Sequence, residues 1–384
     1  MIKILKYGEV KNSEIFARCE EKTDVGGIVA GIIADVRENG DAALYKYCEK
    51  FDGAKLSGLA VTEEEIAAAV AGCDPRFMEV LERAAANIRK FHKNQVRSGF
   101  IINDENGIVT GQKIIPLDRV GLYVPGGTAA YVAGVDRIFK VGGAQAVAAL
   151  AYGTESIPAV DKIVGPGNAF VAEAKRQVFG KVSIDMIAGP SEILIVADGS
   201  CNPRYVAADL LSQAEHDKRA SAVLVTDSEE LAYAVRDELE RQIETLLRRD
   251  IARASIDDNG KIIVCDDIKK AIEISNELAP EHLELCVDNP FDLLDGVRHA
   301  GSVFMGKNCP EALGDYMAGP NHTLPTSGTA KFSSPLSVDD FVKKTQYTYY
   351  TRDALARLAR DVEYFAEKEG LTAHAKSAVI RIEE

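Results

Sequence analysis

The sequence predicts an α/β protein, and two observations support this class most directly. Between Ile108 and Ser337, short β-rich runs alternate with Ala-rich helical stretches and Gly/Pro turns, which is typical of parallel βα units. The segments on either side have mostly helical periodicity instead. Domains usually hold roughly 100–200 residues, so this chain of 384 residues is expected to form about two or three.

The N-terminal third is predicted to be helical. Apolar residues recur at helical spacing over 23–50. Thr62 and Glu65 have the spacing of a capping box, in which each side chain bonds the other residue's amide. A helix is therefore expected from there to about residue 71. A longer helix is expected from Pro75 to about residue 96.

The central region supplies the predicted strands. Strands followed by loops are expected in RVGLYVPGG, VDRIFKV and VDKIVGPGN, and further strands in SEILIVAD, AVLVT, KIIVC and LELCV. Helices are predicted at 203–216 and 228–249. The chain after Ser337 is predicted to be mostly helical, with a helix over 352–369 whose apolar face holds Leu355, Leu358, Val362 and Phe365.

Composition and charge exclude several classes of protein. Lys and Arg total 45 against 59 Asp and Glu, and the formal charge of −14 disfavours nucleic-acid and anionic-membrane binding. An apolar content of 46% excludes a disordered chain. No apolar run approaches the roughly 20 residues that span a bilayer. The first residues lack a long apolar stretch, so no export signal is expected.

The cysteines predict a reducing, cytoplasmic location. They are Cys19, Cys48, Cys73, Cys201, Cys265, Cys286 and Cys309. Their number is odd, their spacings are wide and no CxxC pair occurs. Neither a disulfide framework nor a thiolate zinc site is therefore expected.

Four of the six histidines lie near other reactive groups. Gln213 and His216 are three residues apart near a helix end, so their amide oxygen and imidazole would share one helix face. The helix dipole by itself would also favour a histidine at this position. Glu281 and His282 follow Pro280 at a predicted helix-to-strand junction. A carboxylate beside an imidazole suits general acid–base chemistry, and two exposed turn residues are the alternative.

Two polar segments carry the other histidines. Residues 314–326 are rich in Gly, Pro and Asn, and there Asp315 would ligate a metal and His322 would bind a polar substrate. The C-terminal helix is expected to end at Glu369, which places His374 on a loop or short turn. A plain surface loop and a solvated tail histidine are the alternatives.

Together, these segments suggest one metal site. Two nitrogen and two oxygen donors would come from Gln213, His216, Asp315 and His374. Zinc accepts this set, although an amide ligand is uncommon and Mn²⁺ or Co²⁺ would also fit. Gly-rich turns at 141–145 and 165–168 can direct amides at phosphates. Neither matches GxGxxG, and a tight strand-to-helix turn is the alternative for each.

These residues lie in segments that resemble the histidinol dehydrogenase family. The similar segments are VGLYVPGG, KVGGAQAVAALAYGTE, VDKIVGPGNAFVAEAKRQV, IDMIAGPSEILIVAD, ADLLSQAEHD, APEHLEL, GDYMAGPNHTLPT and EGLTAHAKS. They follow the family's order and cover nearly the whole chain. Motifs this long and numerous are highly specific.

The resemblance implies two incomplete Rossmann-like domains with small terminal pieces that build an intertwined homodimer. The expected division is an N-terminal piece (1–17), a first α/β domain with the metal and substrate site (18–122 plus 193–336), a second α/β domain with the NAD site (123–192) and a C-terminal helical dimerisation tail (337–384).

The resemblance also implies a role for each candidate residue. Glu281 and His282 match the proton-transfer pair. The matches to the ligands of one Zn²⁺ per subunit are Gln213, His216, Asp315 and His374. The residues that match the family's NAD⁺ contacts are Tyr123, Gln145 and Asn168. The residues that match its substrate contacts are Ser191, His322 and Glu369, together with His282 and the zinc ligands. His374 and Glu369 are expected to reach the partner's site.

The implied reaction is the last two steps of histidine biosynthesis, in which an oxidoreductase converts L-histidinol through the bound aldehyde to L-histidine with two NAD⁺. His282 would accept the alcohol proton and Glu281 would activate water, while zinc would orient the substrate. One alternative keeps zinc and histidinol binding but has lost efficient NAD⁺ chemistry. A second is a metal-dependent hydrolase that uses Glu281, and it leaves the Gly-rich turns unexplained.

One departure from the family pattern concerns the NAD domain. Tyr131 runs directly into Val132, where the family carries a further segment at least the size of a strand–helix unit, roughly 30 residues. We therefore expect this domain to be shortened by an internal deletion after Tyr131. Such a deletion would open a sheet edge and weaken NAD⁺ binding, while the zinc set would be untouched.

Overall fold

Strands and helices alternate through the centre of the chain, which confirms the predicted α/β class. The computed structural model describes residues 1–18, 24–104, 106–124, 132, 134–135, 137–187 and 189–383. The strands in these residues are β1 (Lys3–Lys6), β2 (Phe100–Asp104), β3 (Ile108–Pro116), β4 (Val120–Leu122), β5 (Lys162–Val164), β6 (Ser183–Ile184), β7 (Glu192–Ala197), β8 (Ser221–Thr226), β9 (Lys261–Val264), β10 (His282–Cys286), β11 (Ser302–Met305) and β12 (Val342–Tyr350).

The α-helices in the same part of the chain complete the description. They are α1 (Asn12–Ile15), α2 (Gly26–Tyr47), α3 (Glu63–Ala71), α4 (Pro75–His92), α5 (Gly143–Tyr152), α6 (Ala169–Val178), α7 (Pro203–Ala214), α8 (Glu229–Ile243), α9 (Arg249–Asp258), α10 (Ile268–Leu278), α11 (Phe291–Leu294), α12 (Ala312–Tyr316), α13 (Arg352–Lys368) and α14 (Thr372–Glu383). None of the described helices has both the length and the apolar composition to cross a bilayer.

The chain folds into two compact units. The first comprises Met1–Asn94 and Asp118–Ser337, and the second comprises Gln95–Leu117 and Val338–Glu384. The finer division into 1–17, 18–122 plus 193–336, 123–192 and 337–384 stays a prediction.

The first unit contains a six-stranded sheet with the order β1-β9-β8-β7-β10-β11. Every neighbouring pair in it is parallel. Apolar clusters cover both faces, which explains the continuous apolar runs of β7 and β8. In the register of β10 with β7, His282 lies beside Ile193. The amino ends of β7 and β10 therefore lie next to each other.

The first unit also contains a smaller parallel sheet with the order β4-β5-β6. The helices α2, α5 and α6 share one apolar cluster with it. The α2 stripe of Val29, Ile32, Ile33 and Val36 is buried in this cluster, as its helical spacing predicts. The carboxyl ends of β4 and β5 therefore lie at one edge of this sheet.

The second unit contains an antiparallel sheet with the order β12-β3-β2 and the helix pair α13 and α14. The chain after Ser337 is mostly helical, as predicted, but the prediction missed one strand, because Val342–Tyr350 forms the nine-residue strand β12. It pairs with β3 along its whole length, from Val342 opposite Pro116 to Tyr350 opposite Ile108. Its Thr and Tyr residues favour a strand, and pairing with a segment distant in sequence provides the ladder.

Several local predictions are confirmed and others are wrong. In the predicted capping box at the start of α3, the Glu65 amide donates to Thr62 Oγ1 (3.2 Å) and the Thr62 amide donates to Glu65 Oε2 (2.8 Å). The helix predicted over 228–249 ends earlier than expected, because α8 stops at Ile243 and a separate helix, α9, begins at Arg249. Ile243 and Ala252 both enter the core. Nine residues apart, they would face opposite sides of one straight helix.

The strand predicted in VDRIFKV is absent from the described residues of that segment. Phe139 forms an isolated antiparallel bridge with Ala60, and the Lys140 amide donates to Leu59 O (2.7 Å). The segment thus contacts residues 59–61 without entering a sheet. Asp136 in this segment, the predicted helix start Thr23 and the expected deletion point Tyr131 lie outside the described residues.

Candidate functional site

Glu281 and His282 lie at the amino end of β10, where a helix changes into a strand within a few residues. Ala279 has a φ of 45°, in the left-handed region that ends helices, and Pro280 follows it. The predicted helix-to-strand junction is therefore confirmed. Glu281 is 8% exposed and His282 is 4% exposed, which contradicts the alternative of two exposed turn residues.

The backbone N–H and the backbone carbonyl of Glu192 each contact one of these two side chains. The Glu192 N–H donates to Glu281 Oε2 (2.9 Å), and the Glu192 carbonyl lies 3.0 Å from His282 Nδ1. A carbonyl oxygen only accepts, so Nδ1 carries the proton and Nε2 keeps its lone pair. Gln213 Nε2 lies 3.5 Å from Nδ1, but this contact joins two N–H groups and does not change the tautomer.

Two acidic side chains face the free nitrogen of His282. His282, Glu311 and Asp315 each bring one ligand atom into a group whose members lie within 4.8 Å of one another. Glu311 Oε1 lies 3.9 Å from His282 Nε2, and Ser212 Oγ donates to Glu311 Oε2 (2.8 Å). Glu311 and Asp315 are four residues apart at α12, a spacing that places them on one side.

Burial and charge shift the pKa values of this group in the directions that favour the uncharged forms of the side chains. Burial raises the pKa of Glu281 well above its ordinary value, and the charges of Glu192 and Asp315 act in the same direction. Burial lowers the pKa of His282, which keeps the imidazole neutral near pH 7. Burial and the Glu311 charge raise the pKa of Asp315. The pair therefore has a neutral base beside a carboxyl group that titrates at higher pH than usual.

The donor atoms in this region are suited to a divalent cation. Gln213 Oε1 and His282 Nε2 are buried and have no hydrogen-bond partner within the described residues. The Gln213 lone pair has no donor, and it lies in a group of acidic side chains, so a positive charge would satisfy it. The amide, carboxylate and imidazole donors are compatible with zinc.

The predicted metal set is only partly assembled in the first unit. Gln213 is buried on α7, but α7 ends at Ala214, so His216 lies in the following turn rather than on the same helix face. The His216 amide still donates to Gln213 O (3.1 Å). After burial, the charges of His216 and His322 also act to lower the pKa of His282. Both histidines are exposed.

A second carboxyl pair lies behind the Glu311 side chain. Glu284 Oε1 accepts from the Glu311 amide (2.7 Å) and Glu284 also bonds Asp209. Burial raises the pKa of Glu284 well above its ordinary value and that of Asp209 to about 6. The hydrogen bond between the two carboxyl groups favours the protonated form of Glu284, and the bond from the Glu311 amide to Glu284 holds the backbone that carries Glu311.

The three residues predicted to contact NAD⁺ lie at one edge of the small sheet. Tyr123 follows β4, and its hydroxyl accepts from the Gly143 amide (3.0 Å) at the start of α5. Gln145 is 2% exposed, and its Oε1 has no partner among the described residues. Asn168 caps α6 by accepting from the amides of residues 170 and 171.

The turn after β5 passes close to Tyr123. Gly165 has a φ of +116°, and a Cβ there would lie 2.0 Å from Tyr123 O, so a side chain is excluded. The two Gly-rich turns thus approach each other around Tyr123, and an unpartnered amide oxygen from Gln145 is buried there. This arrangement fits a dinucleotide with polar donors.

The remaining predicted substrate residues occupy different positions. Ser191 directly precedes Glu192 at the amino end of β7. Glu369 and His374 belong to the second unit, where both are exposed. Glu369 is the C-cap of α13, as predicted, but His374 lies on α14 and not on a loop. The prediction was wrong because Leu371-Thr372 begins a new helix directly after Gly370.

Sequence reasoning missed Glu192 and Glu311. Glu192 had a signal, since it is a single carboxylate at the start of the otherwise apolar strand EILIVA. Glu311 also had a signal in the sequence, because it precedes Asp315 by four residues, which is a helical spacing. Neither signal indicates which side chains lie opposite, because those partners come from β10, more than 25 residues away in sequence.

The fold and the site define a class: an α/β acid–base enzyme whose buried carboxyl–imidazole pair lies beside a group suited to a metal. The sequence model of the family described as histidinol dehydrogenase matches residues 17–133 and 128–382. The chain therefore belongs to the histidinol dehydrogenase family.

Individual relatives are similar over nearly their whole lengths. A histidinol dehydrogenase of Clostridium acetobutylicum is 48% identical over 426 residues, covering 99% of each chain. One from Geobacillus kaustophilus is 52% identical over 395 residues, covering 92% of this chain and 93% of the relative. The crystal structure of histidinol dehydrogenase from Elizabethkingia anophelis superposes with a TM-score of 0.94 at 34% identity, covering 100% of this chain and 98% of the other.

Proposed function

We propose that this chain is an NAD⁺-linked oxidoreductase that converts L-histidinol to L-histidine, the final reaction of histidine biosynthesis. The observation that carries the proposal is the buried Glu281–His282 pair, whose free Nε2 faces Glu311 and Asp315. Family membership supports the substrate, and the Gly-rich turns at one edge of the small sheet support the cofactor.

The first oxidation needs a base for the alcohol proton. His282 is neutral near pH 7 because burial lowers its pKa, and its Nε2 lone pair is free. We assign His282 to accept the proton from the hydroxyl of histidinol while hydride leaves the same carbon for NAD⁺. The Glu192 carbonyl would stabilise the resulting imidazolium through Nδ1.

The second oxidation needs water to add to the aldehyde. Glu281 lies beside His282, with Oε2 3.6 Å from Nδ1. The raised pKa of its carboxyl group suits it to take a proton from water near neutral pH. His282, once it has released its first proton, would accept the hydrate proton while a second hydride leaves. One acid–base pair would thereby serve both oxidations.

We propose Gln213, His216, Asp315 and His374 of the partner subunit as the zinc ligands. Zinc, when bound, would hold the amine and imidazole of the substrate in place. The orphaned Gln213 Oε1 and the half-buried Asp315 support this assignment. The same ligands, with Ser191, His282, His322 and Glu369, would line the substrate site.

The dimer that this assignment requires is supported by the surface of the second unit. Apolar side chains are exposed on β2, at Phe100, Ile101 and Ile102, and on α13, at Val362 and Phe365. β2 is an edge strand of its sheet. Edge strands and contiguous apolar surfaces of this kind mark protein interfaces. We propose that a second copy of the chain covers them.

We also propose that the NAD domain is a Rossmann-like unit shortened after Tyr131. The family model matches in two pieces that meet at residues 128–133, and the alignment with the C. acetobutylicum relative spans 426 residues against 384 in this chain. Tyr123, Gln145 and Asn168 remain, so we expect NAD⁺ binding to persist with reduced affinity. A chain that binds zinc and histidinol without efficient turnover is the alternative.

The six cysteines in the described residues are free thiols. This state supports the proposed cytoplasmic location.

The experiment that tests the proposed function uses purified, zinc-loaded protein with L-histidinol and NAD⁺. Wild type is expected to form NADH. His282→Asn should lose turnover by at least about 10²-fold and retain histidinol binding. Glu281→Gln should slow oxidation of the aldehyde more than oxidation of the alcohol. Full activity of His282→Asn would remove His282 as the base. Histidinol binding without NADH formation would favour the alternative.

Mixed dimers test the shared site. His374→Asn should weaken zinc binding, and dimers that combine this subunit with a His282→Asn subunit should recover one complete site. Absence of recovered activity would contradict a site shared between subunits.

A further inference from the structure

The spacing of the proposed catalytic pair depends on the backbone of one residue, Glu192. The Glu192 N–H holds Glu281 and the Glu192 carbonyl holds His282, on opposite sides of the same residue. These two groups lie in the two planar peptide units that meet at the Glu192 Cα, so a displacement of this residue would move the hydrogen-bond partners of both side chains. Whatever fixes Glu192 therefore also fixes the pair.

The side chain of Glu192 is anchored by the N-terminal segment. Its Oε1 forms an ion pair with Arg18, and both side chains are largely buried. Burial raises the pKa of Glu192 to about 6, while the Arg18 charge and a hydrogen bond from the Ser327 amide act in the opposite direction. The ion pair thus favours the charged form of a carboxylate that burial alone would neutralise.

Arg18 is itself held in place from two sides. Lys261 Nζ donates to Ile15 O (2.9 Å) and to Ala17 O (2.8 Å), which fixes the chain directly before Arg18. On the other side the guanidinium lies against Gly328, where a Cβ would be 3.4 Å from Arg18 Nη2. Gly328 has a φ of +77°, and the absence of a side chain there leaves room for the guanidinium.

We infer that Arg18 is a positioning residue for the acid–base pair, and that it acts through Glu192. It touches neither Glu281 nor His282. Its ion pair with Glu192 fixes the orientation of the backbone that holds both. The inference rests on the catalytic roles proposed for Glu281 and His282.

A planar guanidinium suits this position better than an ammonium group. It pairs with a carboxylate in a fixed geometry, whereas lysine would supply the charge without the fixed geometry. Lysine at position 18 should therefore recover part of the effect, and an uncharged side chain of similar length should not.

The test compares Arg18→Met, Arg18→Lys and Glu192→Gln in the zinc-loaded full-length protein. We expect Arg18→Met to lower kcat about 10- to 100-fold while the KM for histidinol changes by less than about threefold. Arg18→Lys should recover part of this loss. Lys6→Met is the matched control, because the Lys6–Glu229 ion pair (3.1 Å) joins exposed side chains, and its kcat should stay unchanged. Thermal unfolding of each variant shows that it is folded.

The outcomes separate this inference from the proposed function. If His282→Asn and Glu281→Gln retain full activity, the proposed pair is wrong whatever Arg18 does. If both lose activity but Arg18→Met keeps the wild-type kcat, the positioning role alone is overturned. A loss of kcat in Arg18→Met that only matches a loss of folded protein, with no recovery in Arg18→Lys, also overturns it.

Discussion

Replacing Lys175 with methionine tests whether a buried ion pair holds the turn proposed to contact NAD⁺. Lys175 Nζ donates to Gly165 O (2.9 Å) and pairs with Asp185. Asp185 Oδ2 in turn accepts from the Gly165 amide (2.7 Å). The two side chains thus hold both polar groups of Gly165, at the start of the turn that ends at Asn168.

The magnitude follows from burial. The side chains of Lys175 and Asp185 are 2% and 1% exposed, so Lys175→Met leaves an unpaired buried carboxylate. Breaking one partner of such a pair costs roughly 3–5 kcal/mol. Asp185 keeps its bonds to the amides of Gly165 and Met186, so we expect the lower end, about 3 kcal/mol. Lys175→Met/Asp185→Asn removes the charge as well and should cost about 1–2 kcal/mol.

Urea unfolding and the KM for NAD⁺ are the assays. Lys175→Met should lose about 3 kcal/mol of unfolding free energy and raise the KM for NAD⁺, with the double variant more stable than the single one. Arg76→Gln is the control, since the Arg76–Glu79 pair is exposed and should contribute less than about 1 kcal/mol. A loss below about 1 kcal/mol in Lys175→Met, or additive losses in the double variant, would refute the reasoning.

Three further predictions concern stability and the backbone near the site. Ser327 is exposed and has a φ of 56°, in the left-handed region that strains a residue with a side chain. Ser327→Gly should therefore raise the unfolding free energy by about 1 kcal/mol in urea titrations. A lower unfolding free energy in this variant would contradict backbone strain at Ser327. A Cβ at Gly301 would lie 2.5 Å from Glu281 O, so Gly301→Ala should cost about 1–3 kcal/mol and lower kcat, whereas wild-type kinetics would show that the Glu281 peptide can shift freely. Burial raises the pKa of Asp209 from 3.8 to about 6, so the folded protein favours the protonated carboxyl group. The contribution of this protonated group to the unfolding free energy is complete below about pH 4 and is lost as the pH rises through 6. Wild type should therefore lose roughly 3 kcal/mol relative to Asp209→Asn between pH 4 and 7, and parallel pH profiles of the two proteins would contradict the raised pKa.

Local signals in the sequence predicted much of the first unit. The capping box of Thr62 and Glu65 and the apolar runs of β7 and β8 depend on neighbouring residues, and they formed as expected. β12 was missed because its ladder is supplied by β3, more than 200 residues earlier in the chain. Its Thr and Tyr content was a usable signal that the helical patterns around it obscured.

The site divides in the same way. Glu281 and His282 were identified by their position after Pro280, and the junction formed there. Their orientation was not predictable, because it depends on the Glu192 backbone from another strand and on Arg18 from the N-terminal segment. His374 was misplaced for a local reason, since a short helix follows Gly370 directly.

Counting NADH per L-histidinol consumed tests the central claim most directly. The measurement uses zinc-loaded protein with excess NAD⁺ and identifies the product by chromatography. A single acid–base pair that serves both oxidations predicts two NADH per histidinol, with L-histidine as the product and no free aldehyde. One NADH with released aldehyde would contradict the role of Glu281 in activating water. No NADH, with histidinol still bound in the presence of zinc, would contradict the proposed dehydrogenase activity.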